Sequence, residues 1–293
     1  MDLVKILSNS GVELLKKMYF VVVRPTLFSK LIIISVAVIL SFSIISSGRN
    51  IYEGARSMFL EGENADANLK EAKLSIVIDD FGSAKDGVEE MMSIEQHLTF
   101  AVIPFLDFTN KNASQAHEKG YEVIVHLPME PKKGKRSWLG PNPILSGMDY
   151  DVVRKIVKDS LDNVPFAVGA NIHMGSKASS EEIIMTAVLD EIRERNLYFL
   201  DSRTASKPVA KDIAREKEVV CFERDVFLDG QQPKDFVKKR LKEAGDLALK
   251  KGYAIAIGHV GIEGGKVTAE AITETIPEFD RKNIKLVFLS ELY

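Results

Sequence analysis

From Lys73 to the C-terminus, short β-rich apolar runs alternate with stretches of helical periodicity. No other feature constrains the fold as much. The strand candidates are Leu74–Asp80, Leu98–Phe105, Glu122–Leu127, Ala167–His173, Tyr198–Asp201, Val219–Glu223, Tyr253–Gly258 and Ile284–Leu289. Between them lie helical candidates at Ala84–Met92, Asn110–Lys119, Tyr150–Asn163, Ser180–Arg195, Pro208–Lys217, Pro233–Lys251 and Thr268–Lys282. Val152, Val153, Ile156, Val157 and Leu161 form one apolar stripe, and Ile183, Ile184, Ala187, Val188 and Ile192 another. Ser179 or Ser180 is the expected N-cap of the second helix. Strands that are apolar on both faces and alternate with helices specify a mostly parallel sheet covered by helices. About seven or eight such units in about 220 residues fit a closed or nearly closed barrel, with a doubly wound open sheet as the alternative.

In such a fold the chemistry sits at the carboxyl ends of the strands. The first strand ends in two adjacent carboxylates, Asp79 and Asp80, ahead of Phe81-Gly82. Neighbouring carboxylates repel and resist burial unless a positive group compensates them. Strand geometry points successive side chains to opposite faces, which predicts different surroundings for the two. The other strand ends carry His126 and Glu130, then Asn171, His173 and Ser176, then Asp201, Ser202 and Arg203, then Glu223, Arg224, Asp225 and Asp229, and finally His259. Three of the five histidines fall on this rim. Imidazole and carboxylate together suit zinc and similar divalent cations. The glycine-rich stretch Gly258–Gly265 matches no dinucleotide fingerprint and reads as a flexible loop beside the site.

Other chemistries leave no motif: there is no phosphate-cradling loop, nucleophile elbow or His-Glu-x-x-His helix. The net charge of -3 gives no basic surface for nucleic acid. The single cysteine, Cys221, excludes an internal disulfide and reads as a packed strand residue. Leu31 to Ser47 is uncharged and apolar or hydroxylic, and it is bracketed by Lys30 and Arg49. Basic residues precede it, so the positive-inside rule leaves the N-terminus in the cytoplasm and exports the rest. The expected organisation is a cytoplasmic segment at 1–30, a single-pass inner-membrane anchor at 31–48, a polar linker at 49–72 and an exported domain at 73–293. A cleaved signal peptide is the competing reading.

The strings Ile78-Asp79-Asp80-Phe81-Gly82, Thr99-Phe100-Ala101-Val102-Ile103-Pro104, His126-Leu127-Pro128-Met129-Glu130-Pro131, Asn171-Ile172-His173-Met174-Gly175-Ser176, Asp201-Ser202-Arg203 and Ile257-Gly258-His259 resemble the divergent polysaccharide deacetylase family. The resemblance covers the chain from about Lys73 onward. It implies an irregular (β/α) barrel of about seven to eight mostly parallel strands, related to NodB-type carbohydrate esterases. It implies Asp79 as the base, His259 as the general acid, and a divalent metal, zinc first, on Asp80, His126 and either His173 or Glu130. Glu130 stands where the esterases have their second histidine, and their Arg-x-Pro motif is missing. Arg203 or Arg224 is expected to orient Asp79, and Asn171, Ser176, Asp201, Arg224 and Trp138 complete the substrate-binding set.

Three functions follow. The first is metal-dependent N-deacetylation of envelope polysaccharide or peptidoglycan. The second is a non-catalytic envelope module that binds glycan or a cell-wall hydrolase partner. It draws on the lost motifs and on the loop Ser137-Trp138-Leu139-Gly140-Pro141-Asn142-Pro143, whose tryptophan can stack on a sugar or plug the rim. The third is a metal-dependent phosphoesterase.

Overall fold

The computed structural model describes residues 71–83 and 85–293. The segments expected at 1–30 and 31–48, and nearly all of the linker at 49–72, lie outside them. Among the described residues no helix is long and apolar enough to cross a membrane.

The alternation in the sequence becomes β1 (Ala72–Phe81), α1 (Val88–Met91), β2 (Thr99–Val102), α2 (Thr109–Glu118), β3 (Glu122–Met129), α3 (Tyr150–Asn163), β4 (Ala167–Met174), α4 (Glu182–Glu194), β5 (Tyr198–Asp201), α5 (Ala210–Glu216), β6 (Cys221–Glu223), β7 (Val226–Phe227), α6 (Lys234–Lys251), β8 (Tyr253–His259), α7 (Gly265–Arg281) and β9 (Ile284–Leu286). The sheet runs β6-β5-β4-β3-β2-β1-β8-β7, with β9 added to the start of β1. All of these pairings are parallel.

The closure differs from a regular barrel. The two edge strands, β6 and β7, are consecutive in the chain and share no ladder among the described residues. The Arg224 N–H donates to the Asp201 carbonyl on β5 at 3.1 Å, and the Asp225 N–H donates to the Ile255 carbonyl on β8 at 2.9 Å. One short segment therefore completes the ring by pairing with opposite edges through its two halves. The sequence reading missed β7 because two residues are too few to show a period.

Both faces of each strand are apolar because both are covered. Leu74, Ile76 and Ile78 of β1 pack outward into the layer shared with the helices. Val77 points inward, with Ala101, Ile124, Leu200, Ile255 and Ile257, into a smaller core inside the ring. Each such aliphatic side chain contributes about 1.5–3 kcal/mol when fully buried. The helical stripes are narrower than the sequence pattern: Val153, Val157 and Leu161 are buried on α3, while Val152 is exposed. On α4, Ile184, Val188 and Ile192 are buried and Ile183 is exposed. Neither Ser179 nor Ser180 caps α4. Both lie in a 3-10 turn, Ala178–Ser180, and the helix starts after Glu181. The Glu181 carboxylate instead accepts from the Ser146 hydroxyl and the Gly147 N–H.

The other sequence landmarks are structural. Cys221 is half-buried, and burial pushes its thiol up to about 12, far from reactivity. The His97 ring stacks on Phe288, and His117 stacks on Phe166.

Candidate metal and catalytic site

The site is built at the carboxyl end of β1, where the strand departs from regular geometry. Its register against β2 slips between Ile78 and Phe81, and Asp80 takes a left-handed φ of 75°. Aspartate tolerates this conformation better than most residues, although it remains uncommon. The consequence corrects the expectation from strand alternation. Asp79 and Asp80 do not diverge; both line one cavity of about 890 Å³. Neighbouring strands bring the partners. His259 on β8 is in register with Asp79, while His126 on β3 is in register with Asn171 on β4. His126, His173 and His259 all line the cavity, and Asn171 is fully buried behind it.

Three atoms face one another on its floor. Asp80 Oδ1 lies 3.4 Å from His126 Nε2 and 3.0 Å from His173 Nδ1, and the two imidazole nitrogens are 3.2 Å apart. Among the described residues, Asp80, His126 and His173 form the group of acidic, imidazole or thiol side chains able to hold a metal ion. Ligand atoms at about 2.1 Å from one ion in tetrahedral array stand about 3.4 Å apart, so the spacing fits one cation.

The outer contacts decide which nitrogens are free. His126 Nδ1 lies 2.6 Å from Asn171 Oδ1, and the Asn171 amide donates to Asp79 Oδ1 at 2.7 Å. The amide oxygen can only accept, so His126 carries its proton on Nδ1 and turns a lone pair inward at Nε2. His173 Nε2 lies 3.0 Å from the Trp138 carbonyl, which likewise draws the proton outward and leaves Nδ1 bare. Asp80 Oδ1 is then a buried carboxylate oxygen without a hydrogen-bond partner. Such a group costs several kcal/mol unless something positive reaches it. Two occupants can do so. One is a second proton on His173, whose affinity for protons is lowered by burial but raised more strongly by Asp80. The other is a divalent cation. Burial likewise opposes ionisation of Asp80, and imidazole protons turned toward it, the first of these two occupants, hold the carboxyl well below the usual range.

The second oxygen of Asp80 is compensated by a residue that the sequence reading did not select. Lys85 Nζ sits 3.1 Å from Asp80 Oδ2. Asp229, which the sequence places beyond β6 with no assigned role, is the partner of His259. Its Oδ1 lies 2.7 Å from His259 Nδ1, and its Oδ2 accepts from the His259 N–H and the Thr268 hydroxyl, each at 2.8 Å. The glycine-rich stretch makes room for this contact, since a Cβ on Gly264 would lie 2.2 Å from Asp229 Oδ2. That stretch is not a loose loop: Gly261–Glu263 forms a 3-10 turn, and α7 begins at Gly265. Burial opposes charging of His259, but Asp229, with Asp79 and Asp80 beyond it, raises its pKa to about 9.

Several expected site residues are not brought together. Glu130 stands apart from the cluster: its carboxylate accepts from Lys177 Nζ and the Ser146 N–H, each at 2.8 Å. Arg203 is exposed, 3.8 Å from Glu223, and does not touch Asp79. Arg224 donates from Nε to the Ser202 carbonyl at 2.8 Å and lies over the Phe227 ring. Asn171, rather than an arginine, holds Asp79. Asp201 is buried away from the cavity and accepts from the Arg203 N–H, while burial raises its carboxyl pKa. Ser176 accepts from the Lys132 N–H at the rim. In their place Ser202 and Thr204 line the cavity, and Trp138 joins them with its indole 57% exposed.

The family model described as divergent polysaccharide deacetylase matches residues 76–293. The chain belongs to that family. The chain is 37% identical to the uncharacterized protein YibQ of Escherichia coli K12 over 187 residues, which cover 64% of this chain and 58% of YibQ. It is 33% identical to an uncharacterized protein of Haemophilus influenzae over 192 residues, or 66% of this chain and 68% of that one. A crystal structure of an uncharacterized protein from Agrobacterium tumefaciens superposes with a TM-score of 0.71 at 20% identity, covering 77% of this chain and 91% of the other. That likeness supports the fold described above.

Proposed function

We propose that the chain is a metal-dependent hydrolase that removes N-acetyl groups from envelope carbohydrate. The observation that carries this reading is the orphaned Asp80 Oδ1 facing two imidazole lone pairs at 3.0 and 3.4 Å. Asp80, His126 and His173 would hold the cation, with zinc the natural fit for two nitrogens and one oxygen. A bound divalent cation supplies Lewis-acid polarisation of an acyl carbonyl and an acidified water. Asp79 lies beside the cluster, its Oδ2 3.7 Å from His126 Nε2, and is placed to take a proton from attacking water. Asn171 holds Asp79 through Oδ1, which leaves Oδ2 for that task. His259 lines the same cavity and is protonated at neutral pH. With Nδ1 committed to Asp229, it presents Nε2–H to the leaving amine.

The family supports carbohydrate as the substrate class. The exposed indole of Trp138 at the rim supplies an apolar face of the kind that sugars stack on. The same reading puts the domain outside the cytoplasm, tethered to the inner membrane by residues 31–48, on the sequence pattern alone.

Metal analysis of the purified chain, together with acetate release from chitooligosaccharide and from peptidoglycan, tests the reading. Zinc content near one per chain, with acetate release that is lost in Asp80→Ala, is expected. A protein that takes up no divalent cation and behaves like its Asp80→Ala variant would refute it. Glycan binding that survives loss of the cluster would instead favour the non-catalytic module.

A further inference from the structure

The contact between His173 and the Trp138 carbonyl ties the cavity floor to its rim. Trp138 ends a 3-10 turn, Arg136–Trp138, in the loop at residues 131–143 that leads from β3 toward α3. Residues 132–138 are all exposed. Few contacts fasten this loop to the domain. The Lys132 N–H donates to Ser176 Oγ, Lys132 Nζ donates to Ser206 Oγ, and Leu139 is buried. The tie that reaches the cavity floor is the 3.0 Å contact from His173 Nε2 to the Trp138 carbonyl.

A neutral imidazole has one proton. If Nε2 donates it to the carbonyl, Nδ1 keeps the lone pair that faces Asp80 Oδ1 and His126 Nε2. If the loop moves away, the proton is free to sit on Nδ1, where it blocks the cation position. We propose that the loop at 131–143 is a positioning element of the cation site. The Trp138 carbonyl selects the His173 tautomer that accepts a cation, and cation loading in turn fixes the loop and sets the indole over the cavity for a glycan. This rests on the cation reading above. Coupling between two binding events is reciprocal, so the factor by which the docked loop tightens cation binding is the factor by which the cation tightens loop docking. Outer contacts to metal-binding histidines are typically worth about 10–100-fold in affinity.

The tie is made by backbone, which separates it from any role of the indole. Trp138→Phe should leave cation affinity within about twofold, because the carbonyl remains. Gly134→Ala should not. Gly134 has a φ of 145°, and a Cβ there would lie 3.0 Å from Met174 Cε and 3.2 Å from Pro131 Cγ. The substitution strains the loop without touching a ligand, and should weaken cation affinity about tenfold.

The chain has a single tryptophan, so its emission reports this loop alone. The full chain is titrated with zinc chloride while three signals are followed. These are zinc uptake by competition with a chromogenic chelator, tryptophan emission, and tryptic cleavage after Lys132, Lys133, Lys135 and Arg136 mapped by mass spectrometry. Emission change and protection from cleavage should follow zinc uptake with the same midpoint. Zinc uptake with no change in emission or cleavage overturns the proposal and leaves the cation site standing. So does a Gly134→Ala variant that binds zinc as tightly as the parent. Absence of zinc uptake overturns the cation site itself, and this proposal with it.

Discussion

Two carboxylates at opposite ends of the ring are buried to nearly the same degree, and their surroundings differ completely. Glu122, at the amino end of β3, is 9% exposed; Asp80, at the carboxyl end of β1, is 8% exposed. Glu122 Oε1 accepts from the Thr99 hydroxyl at 2.9 Å, the Tyr198 phenol at 2.7 Å and the Ser290 N–H at 3.3 Å. Burial, helped by Glu122, holds the Tyr198 phenol well above its ordinary pKa, so it stays a donor. Asp80 Oδ1 has no donor at all and faces two imidazole nitrogens. A buried charge surrounded by donors fastens a fold. Asp80 has one oxygen paired with Lys85 and one that faces only imidazole nitrogens, an arrangement suited to a ligand rather than a fastener. Burial alone does not separate the two cases; the count and kind of partners does.

Substitutions at the two ends should therefore have opposite signatures. Asp80→Ala removes one of the three proposed cation ligands. Binding free energies of about 10–16 kcal/mol shared among a few ligands put each at about 3–4 kcal/mol, so zinc affinity should fall by several hundredfold. Folding stability without metal should change little, because loss of the Lys85 pair is offset by removal of a buried carboxylate oxygen that no donor reaches. Competition with a chelator and denaturant unfolding in the presence of a chelator measure the two halves. A clear drop in metal-free stability would mean that Asp80 is a structural charge like Glu122.

Glu122→Ala should do the reverse. It leaves the Tyr198, Thr99 and Ser290 donors without their acceptor, at about 3 kcal/mol in all, or about 150-fold in the folding equilibrium. Zinc affinity should not move. A zinc-binding defect in Glu122→Ala that persists where the protein is fully folded would break the division between the two ends.

Asn171→Ala probes the contact between the proposed cation ligand His126 and the proposed base Asp79. Asn171 lies between His126 Nδ1 and Asp79 Oδ1. Its removal should weaken zinc affinity by about 10–100-fold, as expected for an outer contact to a metal-binding histidine. Activity at saturating zinc should also drop, because Asp79 loses its anchor. Recovery of full activity at high zinc would confine Asn171 to the metal side.

Most of the architecture was legible because period and burial are local properties. Tyr198–Asp201 and Tyr150–Asn163 match their sequence readings to the residue, since apolar runs and stripes announce covered strands and half-covered helices. Strand ends in a parallel sheet share one rim, so His126, His173 and Asp80 could be placed near one another without coordinates. What stayed hidden depends on partners distant in sequence or on single backbone angles. The φ of Asp80 turns a residue that alternation assigns to the other face. Glu130 was drawn away by Lys177 and Ser146, and Arg203 by Glu223, pairings that no period encodes. Lys85 lies in a turn after β1, where a lysine looks like any solvated charge. Asp229 could be seen at a strand end, but its grip on His259 spans 30 residues and depends on the close approach that Gly264 permits.

That grip yields the smallest expected effect, and its sign can be worked out in advance. In the folded chain the His259 pKa is raised from 6.5 to about 9 by Asp229 against the opposing effect of burial. A raised native pKa means that the stabilisation is fully present below about pH 6.5 and is lost as pH rises through about 9. If His259 delivers a proton to the leaving amine, activity should also fall along a limb near pH 9. Asp229→Asn keeps the shape and can still accept from the His259 N–H and Thr268. It turns an amide donor toward Nδ1, however, which takes the proton off that nitrogen and lowers the pKa. Even at the ordinary histidine value of about 6.5 only about a quarter of His259 would be protonated at pH 7, and burial acts to lower it further, so the rate should fall by about fourfold or somewhat more there. The deficit should widen above pH 7 and close below pH 6. Measuring kcat across pH 5.5–10 at saturating zinc decides it. A uniform loss at every pH would mean that Asp229 serves only to hold the turn at Gly264, and that His259 does not give up a proton in the rate-limiting step.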